Sequence, residues 1–244
     1  MGAICMSPQT PNSLREATLF KSASLNEEEK KQLDQLGLVF KYYPSNTLLT
    51  PEEDDLFVLV HAGWGCLYSN VSDGDRQILD FPLNGDLILV SRSTPRGVDE
   101  TFMALTEIMV WQGPVRGVIE GIANFPKLTS IMMGAALRQK AILIQHMNSL
   151  GRRKALSRVA HLLLELGARL ERAGAASRDG FRCPLTQYDL ADALGLTAIH
   201  VNRMLRELRE RGLIDFRQRT VRFLDRPGLE RVAGFDPDYL KMCI

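Results

Sequence analysis

The sequence is poor in the clustered residues that metals and catalysis usually need. Its four cysteines, Cys5, Cys66, Cys183 and Cys243, form no Cys-x-x-Cys pair. That argues against a structural zinc site or an iron–sulfur cluster. The four histidines, at 61, 146, 161 and 200, are equally dispersed, so no metal triad is expected. No Ser-His-Asp arrangement, P-loop or dinucleotide fingerprint is present. The chain is therefore not expected to be an enzyme, and no cofactor is predicted. A run of about 18 apolar residues, which a membrane-spanning helix would need, is also missing, so no membrane partner is expected. The N-terminus has no basic segment followed by an apolar core, and Met6 stands where a myristoylation pattern needs a hydroxyl. A reduced, cytoplasmic setting fits. The net charge is only +1, so any strongly charged surface must be local.

What is present is concentrated between Leu185 and Leu224. The pattern reads as helix, tight turn, second helix and short β-hairpin. Leu190, Leu194, Leu196, Val201, Leu205 and Leu208 form its apolar side. Ala191 is small where two helices cross, Gly195 supplies the turn, and Val201 fills the angle between them. That spacing is the packing logic of a DNA-binding helix-turn-helix. Thr186 with Asp189, and Thr197, are in position to cap the two helices, and Gly212 stands where the second should stop. The exposed face of the second helix carries His200, Asn202, Arg203, Arg206 and Arg209. From Thr197 to Arg222 there are seven arginines against Glu207, Glu210 and Asp215, a local charge of +4. Phosphate contact requires such a patch. An ordinary helical corner with a solvated arginine face would show part of this pattern, and Arg206 and Arg209 could instead pair with Glu210 and Glu207.

The rest of the chain reads as a second unit. Residues 1–18 are expected to be a flexible tail. Ser24-Leu-Asn-Glu27 suggests a capping box opening a short helix that ends near Gly37. From Leu38 to about Glu120, short apolar runs alternate with turn residues, and Asp73-Gly74 is a strong hairpin signal. This predicts an antiparallel barrel or jelly roll of about eight strands. Phe125-Pro126 then opens a long helix to about Leu150. Gly134, Leu137, Ala141, Ile144 and Asn148 form a stripe along it that suits a helix–helix dimer seam. Gly151 suggests a kink, and Arg152-Arg153-Lys154 a solvated basic run. An amphipathic helix follows, then a loop at 174–180. Leu213–Phe216 and Val221–Leu224 are the hairpin strands, with Arg217 and Arg219 at the tip. A last helix starts near Pro227, and residues from Phe235 read as a tail.

Taken in order, these units resemble the CRP/FNR family of bacterial transcription regulators, over about residues 19 to 240. LFVLVHAGWGCLY…DGDRQILDFPLNGDLI is similar to the family's β-roll, LGRRKALSRVAHLLLEL to its helix junction, and LTQYDLADALGLTAIHVNRMLRELRERGLI to its recognition motif. The resemblance implies an α+β fold with a cyclic-nucleotide-binding-like β-roll over 19–124, a dimerisation helix over 125–150 and a winged helix-turn-helix over 151–244. It implies a homodimer on palindromic double-stranded DNA, with RNA polymerase as a further partner. In the segment Ala198-Ile199-His200-Val201-Asn202-Arg203, Arg203 matches the family's base-reading arginine, suited to guanine O6/N7. Ile199 replaces the family's glutamate and could touch a thymine methyl, while Asn202 could read adenine. His200 could reach a base or a phosphate. Thr197, Arg206, Arg217 and Arg219 are expected on phosphates.

The sensor half departs from the cyclic-nucleotide binders of the family. Val98 and Asp99 stand about where their phosphate-gripping Arg-Ser would lie, and Asp99 and Glu100 would repel a phosphate. Arg92-Ser93 comes earlier in the chain. Gating by cAMP is therefore not expected, and the effector is left open. Alternatives are gating by a cyclic nucleotide or by haem through His61 or Cys66, redox control through Cys183, or a β-roll interaction module without a specific DNA target.

Overall fold

In the computed structural model, residues 13–21, 23–70, 75–92 and 100–241 are described. The Asp73-Gly74 turn, the Val98-Asp99 pair, Cys5 and Cys243 lie outside them. Among the described residues the N-terminal half contains eight antiparallel strands: β1 Val39–Tyr43, β2 Leu48–Leu49, β3 Leu56–Ala62, β4 Gly65–Asn70, β5 Arg76–Asp80, β6 Leu87–Val90, β7 Thr101–Ala104 and β8 Ile108–Pro114. They form two four-stranded sheets, ordered β1-β8-β3-β6 and β2-β7-β4-β5. Val58, Val60, Ile88, Phe102, Ile108 and Val110 fill the space between the sheets. Alternate residues of the first sheet, Phe57, Leu59, Leu87 and Trp111, pack outward on helices. Both faces of β3 are thus covered, which is why it reads as a continuous apolar run rather than an alternating one. Gly63, at φ +93°, turns the chain between β3 and β4, where an added Cβ would lie 2.2 Å from the Glu107 carbonyl oxygen.

The covering helices are α1 Thr18–Lys21, α2 Glu27–Asp34, α3 Val115–Ile122 and the first turns of α4 Pro126–Arg152. Leu14 and Ala17, expected within a flexible tail, are instead buried among them. The α2 capping box is Asn26 with Glu29, not Ser24 with Glu27. Asn26 has the better geometry because its side chain accepts from the Glu29 amide while Glu29 accepts from the Asn26 amide. Gly151 sits within α4, and the break comes at Arg153, whose ψ is 144°. Arg153 is not merely solvated: its guanidinium donates to the Gln145 carbonyl, the Gln145 side chain and Ser149 Oγ, fixing the end of α4.

The C-terminal unit comprises α5 Ala155–Arg172, β9 Gly180–Arg182, α6 Gln187–Leu194, α7 Ala198–Glu210, β10 Ile214–Arg217, β11 Thr220–Phe223 and α8 Arg226–Ala233. β9, absent from the sequence reading, pairs with β11 to make a three-stranded sheet ordered β10-β11-β9. The chain after α8 is not a loose tail. Leu240 is buried, and the Tyr239 hydroxyl donates to Glu165 Oε2 at 2.7 Å.

Candidate nucleic-acid interface

The two helices of the motif start and stop where their local chemistry dictates. Thr186 caps α6 and forms a capping box with Asp189. Gly195, at φ +60°, ends that helix in the left-handed conformation that favours glycine. Thr197 caps α7 by accepting from the His200 amide. Val201, Met204, Leu205 and Leu208 turn inward, and Ala191 is buried at the crossing.

The opposite face of α7 is open. Asn202, Arg203, Arg206 and Arg209 are exposed, His200 and Ala198 are half-buried, and Ile199 is 83% exposed. An isoleucine so exposed at the start of a helix gains nothing from the core. Arg203 donates to His200 Nε2 at 2.9 Å, the Asn202 amide donates to Gln187, and Arg206 pairs with Glu210 at 2.8 Å. These contacts are exposed and exchangeable for a base or phosphate at small cost. Glu207 pairs with Arg211 rather than Arg209. Arg217 and Arg219 flank the β10–β11 turn, where Gln218 and Arg219 both adopt positive φ, at 48° and 57°. Both arginines are exposed, and Arg217 contacts Asp215 at 3.1 Å. The predicted recognition residues on α7 are thus largely open to solvent, as are the two arginines at the hairpin turn. Tyr188 on α6 is also solvent-facing, at 73% exposed.

The winged unit is docked on the roll. Trp64 stacks on Phe181 with ring centroids 6.4 Å apart, and Arg76 on β5 binds Asp189 and Asp192 on α6 at 2.7 and 2.8 Å. Behind this contact lies a buried charge network. Arg169 on α5 reaches Asp80 at 2.8 Å, Asp86 at 2.7 Å and Glu165 at 3.3 Å. His146 on α4 donates from one ring nitrogen to the Leu79 carbonyl and meets Glu165 Oε1 with the other at 2.9 Å. Burial opposes a charge on His146, but the adjoining Glu165 carboxylate, with Asp80 beyond it, raises its pKa to about 9. Asp80, His146 and Glu165 bring ligand-type atoms within 4.8 Å of one another. Their partners are Arg169, Gln139 and Tyr239. The arginine already supplies the positive charge that a metal would bring, so the cluster is an ion-pair network.

Cys183 is fully buried, and burial pushes its thiol up to about 12. Such a group is a poor nucleophile, and a redox role loses its physical basis. Cys66 is likewise buried, packed in the apolar core, and pushed up to about 12. His61 packs edge-on against Phe40. Arg92 donates to the Glu53 carbonyl and its amide to Asp55. On α4, Gly134 is buried within the subunit and Ala141 half-buried, whereas Leu137, Ile144 and Asn148 are exposed. The open apolar stripe is Met133, Leu137, Ile144 and Met147. It differs from the expected seam because one side of α4 packs on β5 and β6.

A β-roll, a long helix and a winged helix-turn-helix with an open basic recognition face define a DNA-binding transcription regulator. Residues 157–232 match the Crp-like helix-turn-helix domain. The nitrogen fixation regulation protein FixK of Rhizobium meliloti is 31% identical over 188 residues, covering 75% of this chain and 82% of the relative. FixK of Bradyrhizobium diazoefficiens is 30% identical over 214 residues, covering 87% of this chain and 89% of the relative. The structure of FixK2 from Bradyrhizobium japonicum superposes with a TM-score of 0.69 at 24% identity, over 82% of this chain and 98% of that one. The chain belongs to the CRP/FNR family of transcription regulators.

Proposed function

We propose that the protein works in the cytoplasm as a homodimer that reads a palindromic operator, engages RNA polymerase there and needs no cAMP. The observation that carries this reading is the exposed face of α7. Arg203 and Asn202, two side chains able to read base edges, stand beside an Ile199 that is 83% exposed. Arg203 is suited to guanine, Asn202 to adenine, Ile199 to a thymine methyl and His200 to a base or phosphate. Ala198 leaves room for close approach, and Thr197, Arg206, Arg217 and Arg219 face the backbone phosphates. Because Ile199 cannot accept from a cytosine amino group, the half-site differs from those read by family members with glutamate there. Two copies paired along α4 would set two recognition helices about 34 Å apart, one turn of DNA. Independence from cAMP is supported by Arg92, whose amide and guanidinium are already engaged by Asp55 and the Glu53 carbonyl.

The test is selection of bound DNA from a random pool with reduced protein and no added ligand. The expected result is a palindromic motif whose half-sites are one turn apart. Enrichment of no motif, with or without cAMP, would remove the reading.

A further inference from the structure

A cavity of about 350 Å³ lies where the roll, α4 and the winged unit meet, away from the recognition face. Its walls include Thr18 and Lys21 of α1, Asn84 in the turn before β6, Arg138 of α4, Arg172 at the end of α5, and Leu240. The volume is that of a small-ligand site.

Its charge is one-sided. Arg138, Arg169, Arg172 and Lys21 line it against one acid, Asp86. Asp86 is already engaged by Arg169 at 2.7 Å and by Arg138 at 3.3 Å. Lys21 and Arg172 have no carboxylate salt-bridge partner among the described residues, and Arg172 donates only to the Leu240 carbonyl. Burial, and then the like charge of Arg138, depress the Arg172 guanidinium, with Asp86 opposing them. Thr18 donates to Asn84 at 2.9 Å and ties the α1 wall to the turn. Guanidinium and ammonium groups converging on a partly enclosed space are the recognition chemistry of carboxylate and phosphate oxygens.

We propose that this cavity is an effector site for a small dianion, a phosphate or a dicarboxylate, gripped by Lys21, Arg138 and Arg172. Such a ligand bridges the roll to the end of α5 and holds the winged unit in its docked position. The site is separate from the DNA face, and the inference does not depend on the operator reading.

The test is calorimetric titration of the full chain, without DNA, with inorganic phosphate and with succinate, against sodium chloride at matched ionic strength. Saturable binding of at least one dianion is expected, together with a rise in Tm that follows its concentration. Lys21→Gln and Arg172→Gln are each expected to weaken that binding at least about tenfold, since each removes a charge-assisted contact. Lys21 is exposed, so its variant should fold normally. The double variant Arg203→Ala/Arg206→Ala, altered only on the DNA face, is expected to bind unchanged. Phosphate binding alone or succinate binding alone would identify which source of the dianion fits. No saturable binding of either, equal affinity in the Lys21 and Arg172 variants, or loss only in the DNA-face variant would overturn the proposal.

Discussion

The Arg76 guanidinium on β5 donates to Asp189 at 2.7 Å, and Asp189 is the residue that closes the capping box of α6. One carboxylate therefore serves two purposes: Oδ1 faces the roll and Oδ2 accepts from the Thr186 amide and hydroxyl. Arg76 also holds Asp192 one turn later and lies over the Tyr68 ring. The β-roll thus grips α6, the helix packed against α7.

Arg76→Met is expected to weaken this docking. Both acids stay folded but lose a charged donor, and hydrogen bonds to charged groups contribute about 1.5–3 kcal/mol each when poorly solvated. Partial exposure of Arg76 and Asp192 places the expected loss at about 1–2 kcal/mol. Urea unfolding of the wild type and variant measures it. An unchanged midpoint would show that the apolar Trp64–Phe181 contact alone carries the docking.

Stability should vary with pH through His146 and His161. The folded pKa of His146 is raised to about 9 from 6.5, so its contribution is full below 6.5 and is lost as pH rises through about 9. His161 is held down to about 4, chiefly by burial, so its contribution is present above 6.5 and is lost as pH falls toward 4. The two effects place greatest stability near pH 6.5 as far as these residues decide it. His146→Gln should flatten the alkaline limb and leave the acid limb in place. Denaturation midpoints across this range check it, and an alkaline limb unchanged in the variant would contradict the assignment.

The sequence made some of these features readable and hid others for physical reasons. The helix-turn-helix was legible because Ala191, Gly195, Val201 and the threonine caps are all local in the chain. The roll was legible from its turn glycines and short apolar runs. The charge network was not. Arg169 and Asp80 are 89 residues apart, and a Glu165–Arg169 pair on an amphipathic helix reads as solvated. Arg76 and Asp189, 113 residues apart, were hidden in the same way. Gly134 and Ala141 fitted the seam by spacing alone. Which side of α4 faces its own roll depends on the packing of β5 and β6, and helical periodicity does not carry that information.

Cys183 should be silent toward mild oxidants. Its thiol is buried and pushed up to about 12, so little thiolate exists near neutral pH. DNA affinity after peroxide treatment is expected to equal that of the reduced protein, and Cys183→Ser should respond no differently. A loss of affinity that the serine variant prevents would restore the redox role.

The proposed dimer seam is expected to break at single residues. Leu137 and Ile144 are exposed in the single chain, at 53% and 46%. An aspartate at either would place an unpaired carboxylate in the proposed interface. That costs about 3 kcal/mol or more, roughly a hundredfold or more in the dimer Kd. Leu137→Asp and Ile144→Asp are therefore expected to sediment as monomers, with secondary structure unchanged. Intact dimers in both variants would move the interface off this stripe.

Arg203 and the hairpin arginines should fail in different ways. On the proposed reading Arg203 leaves His200 to contact a base edge, so Arg203→Ala should lose about 1–3 kcal/mol of discrimination at one base pair of each half-site. Arg219, at the exposed hairpin tip, is assigned to phosphate. Arg219→Ala should weaken binding about equally on all sequences and reduce the salt slope by about one. Titrations against the selected operator and its single-base variants, at several salt concentrations, separate the two. Uniform weakening by Arg203→Ala would return that arginine to the phosphate backbone and leave Asn202 and Ile199 as the residues that read sequence.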